Sequence, residues 1–421
     1  MLHIINTRLS AYLSRQIAPE QAGFVKGRGT REQILILRQI IEKAREFNST
    51  LYICFVDFRK AFDTVIWAQL WRILAEMGVP PHLIVLLRRL YESGTAAVRV
   101  DGTLSENFKT EAGVRQGCIL SPLLFNTYTE YIMRIVLEEW DRGISVGGRV
   151  INNLRYADDT TLLAQTKEDM ENLLTRLETT SLKFGLSINR EKTKMMIVDR
   201  AEQIRTNVQS IANCEVVQSY IYLGSTISST GGCSDEIRRR SRTPEKDLEG
   251  QKSYQEDEGQ IDEMSGFPIF LYGAETWSLR LQDRRKIDAL EMWCWRRLLK
   301  IPWTAFRTNL SILKELHIKD RLSSTVQLRI LKFFGHISRN ENSMERLVVQ
   351  GQVEGRRARG RSPTRWTDLI KKATESTMVQ CTRNASNRQK WKHIAKRAVL
   401  ERVCDPPNIF SCTSSAQPRP L

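Results

Sequence analysis

Apolar residues fall into two rhythms along this chain, and the changes of rhythm outline its elements. Leu51 to Val56 is a short unbroken apolar run, too short and too continuous for an amphipathic helix, and predicts a central strand. Before it, Ile34, Leu37, Ile40 and Ile41 recur at helical spacing and predict a helix over 31–47, with Thr30 as its N-cap. A shorter helix is expected over 4–13, followed by Pro19 and a loop carrying Gly23, Gly27 and Gly29. After the strand, Ile66, Leu70, Ile73, Leu74 and Met77 form one stripe, so a helix is predicted over 63–77, closed by Gly78 and barred from continuing by Pro80-Pro81. Another covers 82–91.

The stretches 96–100 and 104–110 flank Asp101-Gly102 and predict a hairpin with a favoured tight turn. Ser121-Pro122 supplies N-cap and first-turn residues for a helix running through Ile132 to Trp140. A strand–turn–strand unit is expected around Asp158-Asp159. Thr166-Lys167-Glu168-Asp169 then opens a helix with Met170, Leu173, Leu174, Leu177 and Phe184, closed by Gly185, and 194–198 is a further strand. Strands alternating with helices around a central hairpin give an α+β domain.

The chemistry sits where apolar runs meet acids. Asp57 ends the first strand, within Phe55-Val56-Asp57-Phe58-Arg59-Lys60-Ala61-Phe62-Asp63, and Asp158-Asp159 follows Tyr156-Ala157. Burying a carboxylate costs several kcal/mol unless something pairs it, so acids at the ends of core strands usually hold a cation. Three acids, with phosphate oxygens and water completing the shell, suit a pair of Mg²⁺ ions of the kind that clamps an in-line phosphoryl transfer. Alone, an Asp-Asp between apolar stretches is more often the tip of a hairpin. Asp63 reads equally as a helix-start acid complementing the dipole, and stays outside the metal set.

Two more motifs stand in order with these: Gly113-Val114-Arg115-Gln116-Gly117-Cys118-Ile119-Leu120-Ser121-Pro122 between them, and Gly185-Leu186-Ser187-Ile188-Asn189-Arg190-Glu191-Lys192-Thr193-Lys194 after them. The ordered series resembles the palm of reverse transcriptases, specifically those of LINE-type non-LTR retrotransposons, from about Gln21 to about Leu281. The resemblance implies a right-hand polymerase palm with partial fingers. It implies RNA-directed DNA synthesis from a 3′-OH primer, with dNTPs as substrates and two Mg²⁺ (Mn²⁺ as a substitute) held by Asp57, Asp158 and Asp159. Phe62 matches the aromatic that blocks a ribose 2′-OH, and Gln116 and Gly117 the motif lying against nucleotide and template. Lys192, with Lys194 as the second choice, matches the lysine that protonates departing pyrophosphate. Lys26 and Arg28, in the loop Gln21 to Thr30, match cations that meet template or triphosphate. The Ala of Tyr156-Ala157-Asp158-Asp159 is the LINE-type form and argues against a retroviral origin. Group II intron proteins share much of the palm, but nothing here marks their maturase or nuclease appendages.

Composition then adjusts this picture. The net charge of +16 favours polyanion partners, and residues 351–400 concentrate it with 13 Lys/Arg against three acids. Within that stretch Arg356, Arg357, Arg359 and Arg361 lie among Gly and Pro without an apolar face, which suits an extended phosphate-binding arm or an import signal. The eight cysteines never form Cys-x-x-Cys, which suggests reduced thiols, and no apolar run is long enough to span a bilayer. The expected partners are therefore an RNA template and a DNA primer or target, with no membrane. The expected location is nuclear or cytoplasmic, without secretion.

The expected domain order is fingers over 1–50, palm over 51–200, a primer-grip-like hairpin within 201–240, a helical region over 267–350 and a basic region over 351–421. Ile287, Leu290, Trp293, Leu298 and Leu299 predict the apolar stripe of a helix in the fourth of these. Residues 241–266, where the family has a helical thumb, hold only four apolar residues against eight acids and three bases. That composition predicts disorder and suggests a degraded, frameshifted thumb. The first finger motifs and a nicking endonuclease would lie upstream of Met1. The competing functional reading is a catalytically inactive nucleic-acid-binding remnant.

Overall fold

The structure is a computed structural model that describes residues 1–400 apart from Glu202, 251–265, Lys319, Glu354, Arg356 and 358–363. The chain forms two compact units: Met1–Glu236 with Asn342–Pro363, and Ile237–Glu341 with Thr364–Leu421.

The first unit contains helices α1 (Leu2–Leu13) and α2 (Thr30–Glu46), strand β1 (Leu51–Val56), and helices α3 (Trp67–Glu76), α4 (Pro81–Glu92) and α5 (Ser121–Val136). Strands β2 (Asn153–Tyr156) and β3 (Asp159–Ala164), helix α6 (Lys167–Lys183) and strands β4 (Lys194–Val198), β5 (Ser210–Ile211) and β6 (Cys214–Val216) follow. A separate hairpin pairs β7 (Ser219–Tyr222) with β8 (Ser225–Ser228). The main sheet runs β5-β6-β4-β1-β3-β2, antiparallel throughout except for the parallel pair β4 and β6.

The apolar run of β1 explains its central place, since every residue from Leu51 to Val56 is buried. Alternation along the strand sends Tyr52, Cys54 and Val56 into a core with α1, α3, α4, α5 and α6. Leu51, Ile53 and Phe55 enter a second core with α2, the 144–154 region and the β7–β8 hairpin. Burying each of the large side chains contributes roughly 1.5–3 kcal/mol. The strand therefore cannot slip register without exposing both sets at once.

Three local expectations are corrected. Gly29, rather than Thr30, caps α2, and the helix is buried on nearly all sides instead of along one stripe. Two of its buried polar residues are matched in part: Gln33 Nε2 donates to the Glu20 carbonyl, and Arg38 donates to Cys233 Sγ, Ser225 Oγ and the Thr226 carbonyl, while Gln33 Oε1 and Arg38 Nε have no hydrogen-bond partner among the described residues. Helix α3 starts at Trp67, not at Asp63. The preceding residues are drawn away from helix because Gly113 N–H donates to the Val65 carbonyl and Val114 N–H to that of Phe62, both at 2.8 Å. Asp63 thus has no helix dipole to complement. Helix α5 is capped by Leu120 instead of Ser121, whose hydroxyl donates to the Arg115 carbonyl.

The chain also returns to the first unit. The helix Met344–Gln350 packs on α2, Lys43 Nζ donates to the Gly351 carbonyl at 2.8 Å, and Gly147 N–H donates to that of Gln352 at 2.7 Å. Residues 342–363 therefore do not divide at position 350 as the charge distribution suggested.

The second unit is helical. Trp366 and Trp391 are buried against Phe334, and their indole N–H groups donate to the carbonyls of Glu275 and Leu331. Gly335 makes this possible, because a β-carbon there would stand 2.2 Å from Trp391 Cδ1. In the helix Leu281–Leu298 the buried tryptophan is Trp295, and Trp293 faces outward. A helix runs Ser234–Gly250 and so covers the first ten residues of the segment where disorder was expected; 251–265 lie outside the described residues. Residues 401–421 lie outside them as well. Among the described residues the cysteines are free, and no helix is long and apolar enough to cross a membrane.

Candidate active site

Strands β2 and β3 pair through Tyr156 and Asp159, so Ala157 and Asp158 are the two central residues of a tight hairpin. Ala157 takes a left-handed conformation, φ +58°. Its neighbour β1 runs antiparallel to β3 with Val56 opposite Thr160, and one further step along that register sets Asp57 opposite Asp159. Three acids that are distant in sequence are thereby gathered at one end of the sheet.

Their electrostatics show the crowding. Asp158 titrates above the ordinary carboxylate range because of burial first and the Asp57 charge second. Asp159 is pushed up to about 6, by desolvation first and then by Asp158 and Asp57. The Asp159 side chain is nevertheless exposed. The repulsion from its two acid neighbours is therefore the firmer part of that shift, while water tempers the desolvation.

Among the described residues no Lys or Arg pairs with any of the three. Nor do they close a cluster of three donors tight enough to hold an ion by themselves. Uncompensated carboxylates in a common corner fit a cation whose remaining ligands come from a phosphorylated substrate and water. The donor set, hard carboxylate oxygens with no sulfur or imidazole, suits Mg²⁺ or Mn²⁺.

The corner is held from several sides. Beneath the hairpin, Arg155 in β2 pairs with Glu130 in α5 at 3.0 Å with both side chains buried, and Glu130 also accepts from Ala18 N–H. Asp57 is fixed by its backbone: its N–H donates to Thr193 Oγ1, and its carbonyl accepts from Asn189 N–H at 2.7 Å. That arrangement brings the turn carrying Lys192 alongside Asp57. Lys192 is exposed, whereas Lys194 Nζ is paired with Glu215 at 2.9 Å. Of the two lysines, Lys194 is therefore the one engaged in an ion pair.

Phe62 is half-buried and stacks on Phe125, ring centroids 4.1 Å apart. Gln116 and Gly117 are exposed, and Gly117 has open space around it at φ +77°. Gly113 is pressed onto the Asp63 backbone, where a β-carbon would come within 2.8 Å of the carbonyl oxygen. Lys26 is exposed on its loop.

Arg28 is placed differently from expectation. Its Nη1 donates to the carbonyls of Ala18 and Gln21, and burial lowers its pKa, so it staples its own loop. Of the basic run, Arg357 pairs with Glu46 at 3.1 Å; Arg356, Arg359 and Arg361 lie outside the described residues.

Two residues near the acids were missed. The ring of Tyr220 stacks on Phe55 at 4.1 Å, and the charges of Asp159 and Asp57 add to burial in raising its phenol pKa. The hairpin carrying Tyr220 was visible in the sequence, but its seat on β1 was not. Gln21 is fully buried against the acid-bearing turn, and no local pattern announces it.

A family model described as "Reverse transcriptase (RNA-dependent DNA polymerase)" matches residues 1–227, more than half of the chain. The chain belongs to the reverse transcriptase family. Its mixed helix–strand first unit accords with that membership. A Pol polyprotein from the retrotransposable element R2DM of Drosophila melanogaster is 28% identical over 239 residues, covering 54% of this chain and 22% of the relative. One from an R2 element of Nasonia vitripennis is 29% identical over 222 residues, 50% of this chain and 22% of the relative. The polymerase of the mobile element jockey from Drosophila funebris is 28% identical over 189 residues, 44% of this chain and 20% of the relative. These are non-LTR retrotransposon proteins, and this reverse transcriptase chain spans about a fifth of their length. Among solved structures, telomerase from Candida tropicalis with a fragment of telomeric RNA is similar at a TM-score of 0.41 and 13% identity, covering 83% of this chain and 55% of that one. That likeness adds no argument.

Proposed function

We propose that the chain is an RNA-directed DNA polymerase of a non-LTR retrotransposon, extending a primer 3′-OH along an RNA template. The observation that carries this reading is the convergence of Asp57, Asp158 and Asp159 without a basic partner, in a chain of this family. Bound to these acids, a pair of divalent ions supplies charge stabilisation to the attacking and leaving oxygens.

The protein's own groups do the rest. Asp57 and Asp158 serve as the principal ligands with Asp159 as the third acid, and their fixed backbones keep the corner from collapsing when it fills. The primer 3′-hydroxyl loses its proton to solvent as its oxygen bonds to the α-phosphorus, the bond from that phosphorus to the bridging oxygen breaks, and Lys192 gives its proton to the departing pyrophosphate. Gln116 and the open Gly117 lie against the nucleotide, and Phe62, braced by Phe125, limits room at the sugar. Tyr220 offers a phenol to the primer end. Lys26 and the arginine-rich run over 356–361 attract nucleic-acid backbone. Arg28 is left out of the nucleotide-binding set because its guanidinium is engaged with its own loop.

Primer extension on an RNA template tests the reading. Activity should require Mg²⁺ or Mn²⁺ and fall by several orders of magnitude in Asp158→Ala. Near-normal extension by that variant would sink the site. A wild-type chain that binds template but never extends would instead favour the inactive remnant.

A further inference from the structure

The turn that carries the acids is built from residues poorly suited to it. The first central position of this two-residue hairpin needs a positive φ, which Gly, Asn or Asp ordinarily supply. Here Ala157 occupies it, at φ +58°. A β-carbon opposes that conformation, so something outside the turn must hold it.

The surrounding contacts identify the holder. Gln21 is fully buried, and its carboxamide engages the backbone of Ala157 on both sides of its α-carbon. Oε1 accepts from Ala157 N–H at 2.9 Å, and Nε2 donates to the Ala157 carbonyl at 3.3 Å. Oε1 also accepts from Gly23 N–H at 2.9 Å, which ties the loop's backbone to the same amide. Gly23 lies so close that a β-carbon would stand 2.2 Å from Ala157 N, and its carbonyl accepts from Asn126 Nδ2 at 2.7 Å. Arg28 grips the Gln21 and Ala18 carbonyls, and Ala22 N–H donates to the Arg155 carbonyl at 2.8 Å. The start of the glycine-bearing loop, residues 21–23, is thus moulded onto the turn, while Phe24, Lys26 and Gly27 are exposed.

We infer that Gln21 is a positioning residue: its carboxamide keeps Ala157 left-handed and so sets where the Asp158 and Asp159 carboxylates stand. For its consequence this rests on the polymerase reading, while the structural claim stands apart from it. Gly23 and Arg28 serve the same end, Gly23 by letting the loop lie flush and Arg28 by fixing the Gln21 backbone. Replacing the carboxamide with an apolar side chain of the same length removes the bonds to the peptide and leaves the packing volume in place. The turn then relaxes, and the acids lose their alignment with Asp57.

Amide hydrogen exchange and Mn²⁺ binding on the full chain test this together, in wild type, Gln21→Met and Asp158→Ala. Gln21→Met should speed exchange at Ala157 about tenfold or more, the scale of one to two lost buried hydrogen bonds, while the β1 amides stay protected. Its Mn²⁺ affinity should fall by a similar factor. Asp158→Ala should lose Mn²⁺ binding yet keep the Ala157 amide protected.

Unchanged Ala157 protection in Gln21→Met would overturn the inference, as would unchanged Mn²⁺ affinity beside a clear loss in Asp158→Ala. A wild type that binds no Mn²⁺ would count against the two-metal reading, and the exchange data would then decide the role of Gln21. Should Gln21→Met lose β1 protection as well, Gln21→Asn, still polar but too short to span the Ala157 peptide, gives the same readout with the same expected loss.

Discussion

Neutralising Asp159 should stabilise the metal-free protein while disabling its chemistry. Asp159 is lifted from an ordinary 3.8 to about 6, by desolvation and by two like charges. Between those values the folded protein binds more protons at this site than the unfolded chain does. Stability therefore falls as pH rises through the window, and the penalty is fully developed above about 6. A shift of about two units corresponds to roughly 3 kcal/mol. The Asp159 carboxylate is exposed, so solvent screening cuts this to about 1 kcal/mol. Asp159→Asn should recover about that much near neutral pH and nothing near pH 4, flattening the slope between them. Protection of the β1 amides is the assay of choice, because a global unfolding signal would mix the chain's two compact units. Saturating Mg²⁺ should stabilise wild type more than the variant, with the sign reversed from the metal-free comparison. A wild-type stability that rises or stays flat across this window, or an Asn variant with the wild-type slope, would refute the electrostatic account of the corner.

Two further outcomes follow from the surrounding geometry. Lys192→Ala should lower the rate of extension by about 10²–10⁴-fold, as loss of a general acid does, while Lys194→Ala leaves it nearly unchanged because that ammonium is held by Glu215; single-turnover kinetics separate the two. Glu130→Ala should destabilise the first unit by about 3–5 kcal/mol, since it strands a buried Arg155, and urea unfolding followed through the β1 amides would show it.

What the sequence disclosed and what it withheld divide along a physical line. The strand Leu51–Val56, the hairpin around Asp158 and the helix opening at Thr166 were legible because periodicity and turn chemistry are local properties of the chain. The Thr166 hydroxyl accepts from Asp169 N–H as the capping pattern implies. The acids could be placed at strand ends for the same reason. Their meeting could not be read from spacing alone, and came instead from the ordered motifs that resemble a known palm.

Errors arose wherever a distant backbone competed with a local preference. The stretch 62–66 has a good helical stripe after it, yet Gly113 captures the Val65 carbonyl and Val114 that of Phe62, and the helix is delayed to Trp67. Polar residues of α2 outside the apolar stripe, such as Gln33 and Arg38, are buried with carbonyls more than ten positions away in sequence taking up part of their hydrogen-bonding capacity. Arg28 shows a related effect. The resemblance implies a cation that meets template or triphosphate, while in the structure its Nη1 is engaged by two nearby carbonyls.

The same logic explains why Gln21 was invisible. A polar side chain next to a glycine carries no periodic signal, and its role depends on a turn 136 residues away. Catalytic acids announce themselves because their charge is anomalous beside apolar strands. The groups that aim those acids are neutral, and their burial is unremarkable until the partner is known. In a site assembled from strand ends, the residues that choose the geometry are therefore harder to find than those that use it. They have to be sought by asking which buried donor or acceptor satisfies each strained peptide.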